Sequence, residues 1–246
     1  MKISTKQKEE NRKKIIRAAV DLIMDKGFRA TTMRAVARQA GLGDATIYNY
    51  FPTKESILYG YYDDALDTAT ESLKKIEDFG QYNLKEQLQS LFEALLEHFL
   101  PDREFVAETF PLVFFSLAPA NKRLRSIQDR FTRIVDDMFK AAVEVEEISE
   151  QVFEELVYHV IWDYFIGAVL YWLRDDSDRF ESTTLFIDKS LDLGYAVVRS
   201  GVVNKTVDIA SFLFKSHVLD RMDLFRSRME TFNRIKREFM AGETKG

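Results

Sequence analysis

Cysteine is absent from this chain of 246 residues. Its absence excludes a disulfide framework and any thiolate metal site, and it suits a reducing compartment. Proline (4) and glycine (10) are scarce. That argues against an all-β sandwich, which needs many turns, and favours long helices. No apolar run approaches the length that a membrane span requires. The opening "MKISTKQKEENRKK" is charged with no apolar stretch behind it, so no signal peptide is expected and the chain reads as cytoplasmic. Histidine is rare: His98, His159 and His217 each lack a partner at metal spacing, so neither a metal nor a cofactor is expected. There is no nucleophile–base pattern and no glycine-rich phosphate loop, so no enzyme is expected.

What is present is apolar and unevenly charged. Hydrophobic residues make up 46% of the chain, enough for a sizeable core, and Phe (20) and Tyr (10) are plentiful. Residues 1–55 hold 12 Lys+Arg against 6 Asp+Glu, whereas the remainder holds 23 against 34. A basic head on an acidic body points to a polyanion-binding end and a body that binds something else.

Helical periodicity dominates, and no alternating strand pattern survives the breaks. The first helix is expected over residues 6–26, burying Ile15, Ile16, Ala19, Leu22 and Ile23 and ending at Gly27. Thr31 or Thr32 caps a short helix over 33–40. After Gly41-Leu42-Gly43 a second short helix runs over 44–50. Pro52 interrupts it, and Thr53 caps a long helix over 54–77. Further helices are expected over 84–100, 103–117, 121–147, 150–174 and 178–200, then 206–215 and 218–240. The fold class is all-α. A three-helix head (1–53) leads into a larger helical domain (54–202) and a C-terminal helical extension (203–246).

Residues 33–50 have the pattern of a helix-turn-helix, whose second helix enters the DNA major groove. Val36, Ala37 and Ala40 share one face, and Leu42 and Ile47 close the small core from the other side. With Ile47 inward, the helical angle turns Ala45, Tyr48 and Asn49 outward and places Thr46 on a flank. Asn suits an adenine edge, and a small Ala suits a thymine methyl. Thr46 and Tyr50 offer hydroxyls to phosphate, and Lys54 opens a helix whose start favours an anion. Arg34, near the cap, is expected at phosphate and Arg38 in solvent.

The stretch "TTMRAVARQAGLGDATIYNYFPTKESIL" resembles the DNA-binding domain of TetR-family transcriptional regulators, from about residue 10 to 58. Gly27-Phe28, Thr31-Thr32, Ala37, Gly41, Thr46, Tyr48, Tyr50-Phe51, Lys54 and Glu55 carry the likeness. It implies that Thr31 and Thr32 cap the helix ahead of the reading helix and touch phosphate. It places Ala45, Tyr48 and Asn49 at bases or backbone, and Thr46, Tyr50 and Lys54 at phosphates. Two positions depart from the pattern: Gly43 stands where a Ser is usual, and Asp44 where a Lys is usual. Asp44 favours the helix N-terminus but repels phosphate, or else accepts from a cytosine amino group.

The resemblance also implies that the larger domain binds a ligand and dimerises. In the family its last two helices pair with their copies, which here would use Gly167, Ala168, Leu185, Leu191, Leu193 and Val197. A homodimer also follows from physics, since two half-sites raise affinity and specificity. An apolar effector pocket between helices is expected from His98, Phe110, Phe114, Tyr158, His159, Trp162 and Phe165, with a small apolar or aromatic effector. Each ring is by default also a core residue. His159 and Asp163 stand at i, i+4 and are expected to pair.

In the extension, Val218, Met222, Phe225, Met229, Phe232 and Phe239 form an apolar stripe among Arg226, Arg228, Arg234 and Arg237. Arg221 and Lys236 interrupt it, so a helix packed on the body or the dimer partner is favoured over a lipid surface. The expected function is a ligand-responsive regulator that binds a near-palindromic operator as a dimer and represses until its effector arrives. The alternative is a protein of the same fold that binds a lipid or other hydrophobe without regulating genes.

Overall fold

The structure is a computed structural model that describes residues 4–115, 122–151, 154–202 and 204. The expected extension, with its two helices and His217, lies outside the described residues apart from 204. Among the described residues there are helices and turns and no strand. None of these helices is long and apolar enough to cross a membrane.

Helix α1 (Thr5–Ala30) starts where the Ser4 hydroxyl accepts from the Gln7 N–H at 3.2 Å. Its regular part ends where the sequence predicts, because Gly27 turns out of it at φ +82°. A side chain is excluded there twice over. The positive φ disfavours it, and a Cβ would lie 3.3 Å from a carboxylate oxygen of Glu108. Helix α2 (Met33–Gln39) is capped by Thr32, whose hydroxyl accepts from the Ala35 N–H. Helix α3 (Asp44–Ile47) is shorter than expected. Residues 48–50 tighten into turns in which the N–H groups of Asn49 and Tyr50 donate to the carbonyls three residues back. Gly43 supplies no side-chain cap, and Pro52 disfavours helical geometry in the residue before it. Ile15, Ala19, Ile23, Val36, Ala37, Ile47 and Phe51 are buried together in this head, while Leu22 is half-exposed.

Helix α4 (Lys54–Leu73) opens with a reciprocal cap between Thr53 and Ser56. Gly60 lets it approach the head closely, since a Cβ there would sit 2.7 Å from the Phe51 ring. The body continues with α5 (Leu84–Phe99), α6 (Arg103–Phe114), α7 (Lys122–Glu144), α8 (Glu154–Trp172) and α9 (Glu181–Arg199). Their bounds fall within a few residues of expectation. Helix α8 starts four residues later than expected, and α9 is preceded by a separate tight turn over Asp178–Phe180. Arg103 closes the end of α8 by donating to the carbonyls of Trp172, Leu173 and Asp175.

The chain divides into two units, Met1–Glu147 with Phe153–Tyr195, and Ile148–Val152 with Ala196–Gly246. The head and most of the body, as far as Tyr195 of α9, thus fall in the first unit, with α4 running through both. In the second, the Asn204 amide donates to the Glu150 carbonyl at 2.7 Å, and Gln151 donates to Ser149 at 2.6 Å.

Candidate nucleic-acid interface and effector region

The reading face is a product of local burial. Ile47 is fully buried, and its neighbours in the turn are thereby forced outward. Ala45, Tyr48 and Asn49 are all exposed, Tyr48 at 53% although it is a large ring. Thr32 is exposed at the cap of α2, and Thr46 lies half-buried on the flank. The Tyr50 hydroxyl accepts from the Asn11 amide at 3.0 Å, and Asn11 in turn accepts from Gln7 at 3.2 Å. This relay from α1 fixes the Tyr50 ring and leaves its hydroxyl proton to donate outward.

Three expected residues stand differently from the sequence reading. Thr31 is 1% exposed, and its hydroxyl donates to the carbonyls of Leu22 and Gly27. It closes the end of α1 rather than presenting a group to solvent. The Lys54 ammonium donates to the carbonyls of Phe28 and Thr31 and lies 4.1 Å from the centroid of the Phe28 ring. It ties α4 to the link between α1 and α2, so two of its three donors are already used. Arg34 is exposed but paired, its Nε 2.9 Å from Asp44 Oδ2. The acid that departs from the usual pattern therefore sits beside a cation from α2.

Two seams fix the head to the body, and sequence reading found neither. The first joins α1 to the start of α6. Arg17 donates to Asp102 at 2.8 Å, Tyr61 donates to the other oxygen of the same buried carboxylate at 3.3 Å, and the Phe28 N–H donates to Glu108 at 2.7 Å. Burial, and then the Asp102 charge, push the Tyr61 hydroxyl far above its ordinary pKa, so it stays a donor. The second seam joins α1, α4 and α7. Arg12 binds Asp64 and lies 3.9 Å from Asp63, while Arg130 of α7 binds Asp63 and Asp67. Burial raises the pKa of Asp64 against the opposing pull of Arg12. The i, i+4 spacing of Asp63 and Asp67 was the available signal for an acidic face on α4.

The expected effector residues do not all come together. Phe110, Phe114, Trp162 and Phe165 meet in one aromatic cluster. Phe110 stacks on Phe114 at 4.1 Å, Phe114 meets Trp162 at 5.8 Å, and Phe131 bridges Trp162 to Phe165. Tyr158 is buried beside Phe139 and donates to Asp136 at 3.1 Å. His98 is half-buried against Tyr61, 5.7 Å between centroids. His159, in contrast, is exposed, and its Nδ1 lies 2.6 Å from the Glu155 carbonyl of its own helix rather than pairing with Asp163. One cavity of about 320 Å³ opens between α5 and the start of α9, and another of about 210 Å³ at the second seam. Neither is lined by the aromatic cluster.

The expected dimer residues also separate. Gly167, Leu185, Leu193 and Val197 are exposed, together with Leu156, Val160 and Tyr171. Ala168 and Leu191 are buried. They belong to the protein's own core, one helical step round from the exposed stripe.

The head and the body each match a family model. One described as "Bacterial regulatory proteins, tetR family" covers residues 15–59, and one described as "Tetracyclin repressor-like, C-terminal domain" covers residues 87–213. The chain belongs to the TetR family. Among its TetR-family relatives is the fatty acid metabolism regulator protein of Bacillus subtilis (strain 168), 26% identical over 172 residues, which are 70% of this chain and 88% of that protein. Another is the transcriptional repressor KstR of Rhodococcus jostii (strain RHA1), 25% identical over 191 residues, 74% of this chain and 84% of that protein. Among solved TetR-type structures, FadR from Bacillus subtilis in complex with stearoyl-CoA superposes with a TM-score of 0.57 at 22% identity, over 77% of this chain and 98% of that one. That likeness establishes the shared fold.

Proposed function

We propose that this TetR-family protein is a dimeric repressor that binds a near-palindromic operator and releases it when an acyl-CoA thioester binds the body. The observation that carries the DNA-binding half is the outward presentation of Ala45, Tyr48 and Asn49 by a head that buries Ile15, Ile23, Val36, Ile47 and Phe51. Tyr48 and Asn49 meet base edges, and Ala45 packs against a thymine methyl. Thr32, Thr46 and Tyr50 donate to phosphates at the rim. Thr31 and Lys54 hold the head in shape behind this face. The charge of Asp44, which would repel phosphate, is offset by Arg34.

The effector class is taken from the relatives, one of which was solved with stearoyl-CoA. The aromatic cluster of the body is a store of apolar surface that an acyl chain would pack against on parting the rings. Helix α6 supports the coupling. It carries Phe110 and Phe114 on the aromatic side, and its start and first turns carry Asp102 and Glu108, which hold α1. A ligand that moved α6 would therefore act directly on the head's attachment. The exposed apolar stripe on α8 and α9 is assigned to the partner subunit, as an uncovered patch of this kind calls for a cover.

The test starts from operator sequences selected out of random duplex DNA by purified protein. Adding long-chain acyl-CoA should release a bound operator, whereas free CoA should not. Tyr48→Ala should weaken specific binding by tenfold or more, on the order of 1–3 kcal/mol for one base contact, and leave the helical signal unchanged. Unchanged operator affinity in that variant would remove Tyr48 from the reading face.

A further inference from the structure

Tyr50 lies half-buried at the end of the reading turn, and its hydroxyl accepts from the Asn11 amide at 3.0 Å. Asn11 is itself buried and accepts from Gln7 at 3.2 Å, so the hydroxyl is held in one place from α1. A phenol oxygen that accepts in this way keeps its own proton for a further acceptor, and among the described residues none takes it. Tyr50 lines the cavity of about 210 Å³ on the seam of α1, α4 and α7. That volume is far more than one water needs.

The same cavity is lined by Arg123 and Ser126, from the first turns of α7. The charges around it are unevenly committed. Arg12 is taken up by Asp64 and by the Gly60 carbonyl, and Asp63 is taken up by Arg130. Arg123 is exposed and enters no ion pair among the described residues. The cavity therefore brings together a fixed hydroxyl donor from the head and an uncommitted guanidinium from the body. Those two donors suit an oxyanion, and a phosphate above all. The location selects the source of that phosphate. Tyr50 and Phe51, which both line the cavity, directly follow the reading residues Tyr48 and Asn49. None of the rings of the body's aromatic cluster lines it, so it lies apart from the apolar ligand region.

We infer that Arg123 of the body and Tyr50 of the head bind one operator phosphate together at this cavity. The body then touches DNA itself, and the position of α7 enters operator affinity directly. The inference rests on the DNA-binding reading above.

The experiment measures binding of the full chain to a selected operator and to an unrelated duplex at several salt concentrations. Wild type is compared with Arg123→Ala, Tyr50→Phe, the double variant and Arg125→Ala. The last removes an exposed charge from the same helix that does not line the cavity. Arg123→Ala should weaken binding to both duplexes by about tenfold and reduce the salt slope by about one. Its unfolding midpoint should match wild type. Arg125→Ala should leave the slope unchanged. The double variant should lose less than the two single losses combined, because both residues serve one phosphate. An unchanged slope in Arg123→Ala would overturn the inference. So would an equal loss in Arg125→Ala, which would reduce the effect to the general charge of α7, or strict additivity with Tyr50→Phe, which would separate the two contacts. Titration with inorganic phosphate and with CoA, without DNA, supplies the remaining arm. Binding of either that depends on Arg123, with the DNA slope unmoved, would give the cavity to a small ligand and overturn its assignment to the operator. A wild-type protein that binds no duplex would defeat the DNA-binding reading itself, and that failure appears before any substitution is made.

Discussion

The head and the body spend their side chains in opposite ways. The head buries mostly small aliphatic residues, Ile15, Val36, Ala37 and Ile47, and leaves a large ring, Tyr48, in water. The body buries most of its rings, Phe92, Phe105, Phe110 and Phe131 among them, and exposes a stripe on α8 and α9 that is mainly aliphatic, with Tyr171 and Phe186 beside it. The difference shows that function is written at different depths. In the head it lies in what a short segment pushes outward. In the body it lies in how distant helices pack, and in what later covers them.

The sharpest break of this comparison is a substitution in the body that never touches the reading face. Phe110 is fully buried, stacked on Phe114 and edge-on to Tyr62 at 5.8 Å. Phe110→Ala should cost about 3–5 kcal/mol of stability, the lost transfer energy plus the cavity left behind. Denaturant unfolding would read it as a lowered midpoint. A cost under about 1 kcal/mol would mean that the cluster is loosely packed and already behaves as a ligand cavity.

A smaller effect tests the boundary between the two regions. Lys54 faces the same link as Thr31, yet its ammonium is occupied by the Phe28 and Thr31 carbonyls. Lys54→Ala should therefore lower stability by about 1–2 kcal/mol, the cost of charge-assisted hydrogen bonds discounted for partial exposure. It should leave the salt dependence of DNA binding nearly unchanged. A salt slope lower by about one would instead return Lys54 to the phosphate contacts.

These residues also mark how far the sequence could be read. The helix-turn-helix was legible because its determinants lie within a few residues of one another: Thr32 as cap, Gly41 at φ +69°, Ile47 inward and Tyr48 outward. Helical angle alone settles such a segment. The role of Lys54 was not legible, because its partners lie 26 and 23 residues away and are carbonyls, which have no sequence signature. Likewise, periodicity had little to grip on α8, where apolar residues are spread round the helix. It could not separate buried Ala168 from exposed Gly167, or exposed His159 from buried Tyr158, because only the neighbouring helices decide which face is inside. The seams through Asp102 and Asp63 were hidden for the same reason.

The smallest expected effect is a pH response confined to the body. His98 lies half-buried on α5 against Tyr61 and Phe99. Burial lowers its pKa from the ordinary 6.5, and the charges of Asp102 and Asp64, which pull upward, do not offset it. The folded protein therefore releases this proton at a pH where the unfolded chain still holds it. Between the lowered value and 6.5 the unfolded state binds more protons, so stability rises with pH through that window and falls as pH drops below 6.5. His98→Gln should flatten this part of the curve, measured as the difference between wild-type and variant unfolding midpoints across the window. Operator affinity of the variant, measured at pH 8 where His98 is neutral in both states, should match wild type. Parallel stability curves would show that His98 gains as much from the two carboxylates as it loses to burial. The body's aromatic interior would then be wetter than its packing implies, and closer in character to the head.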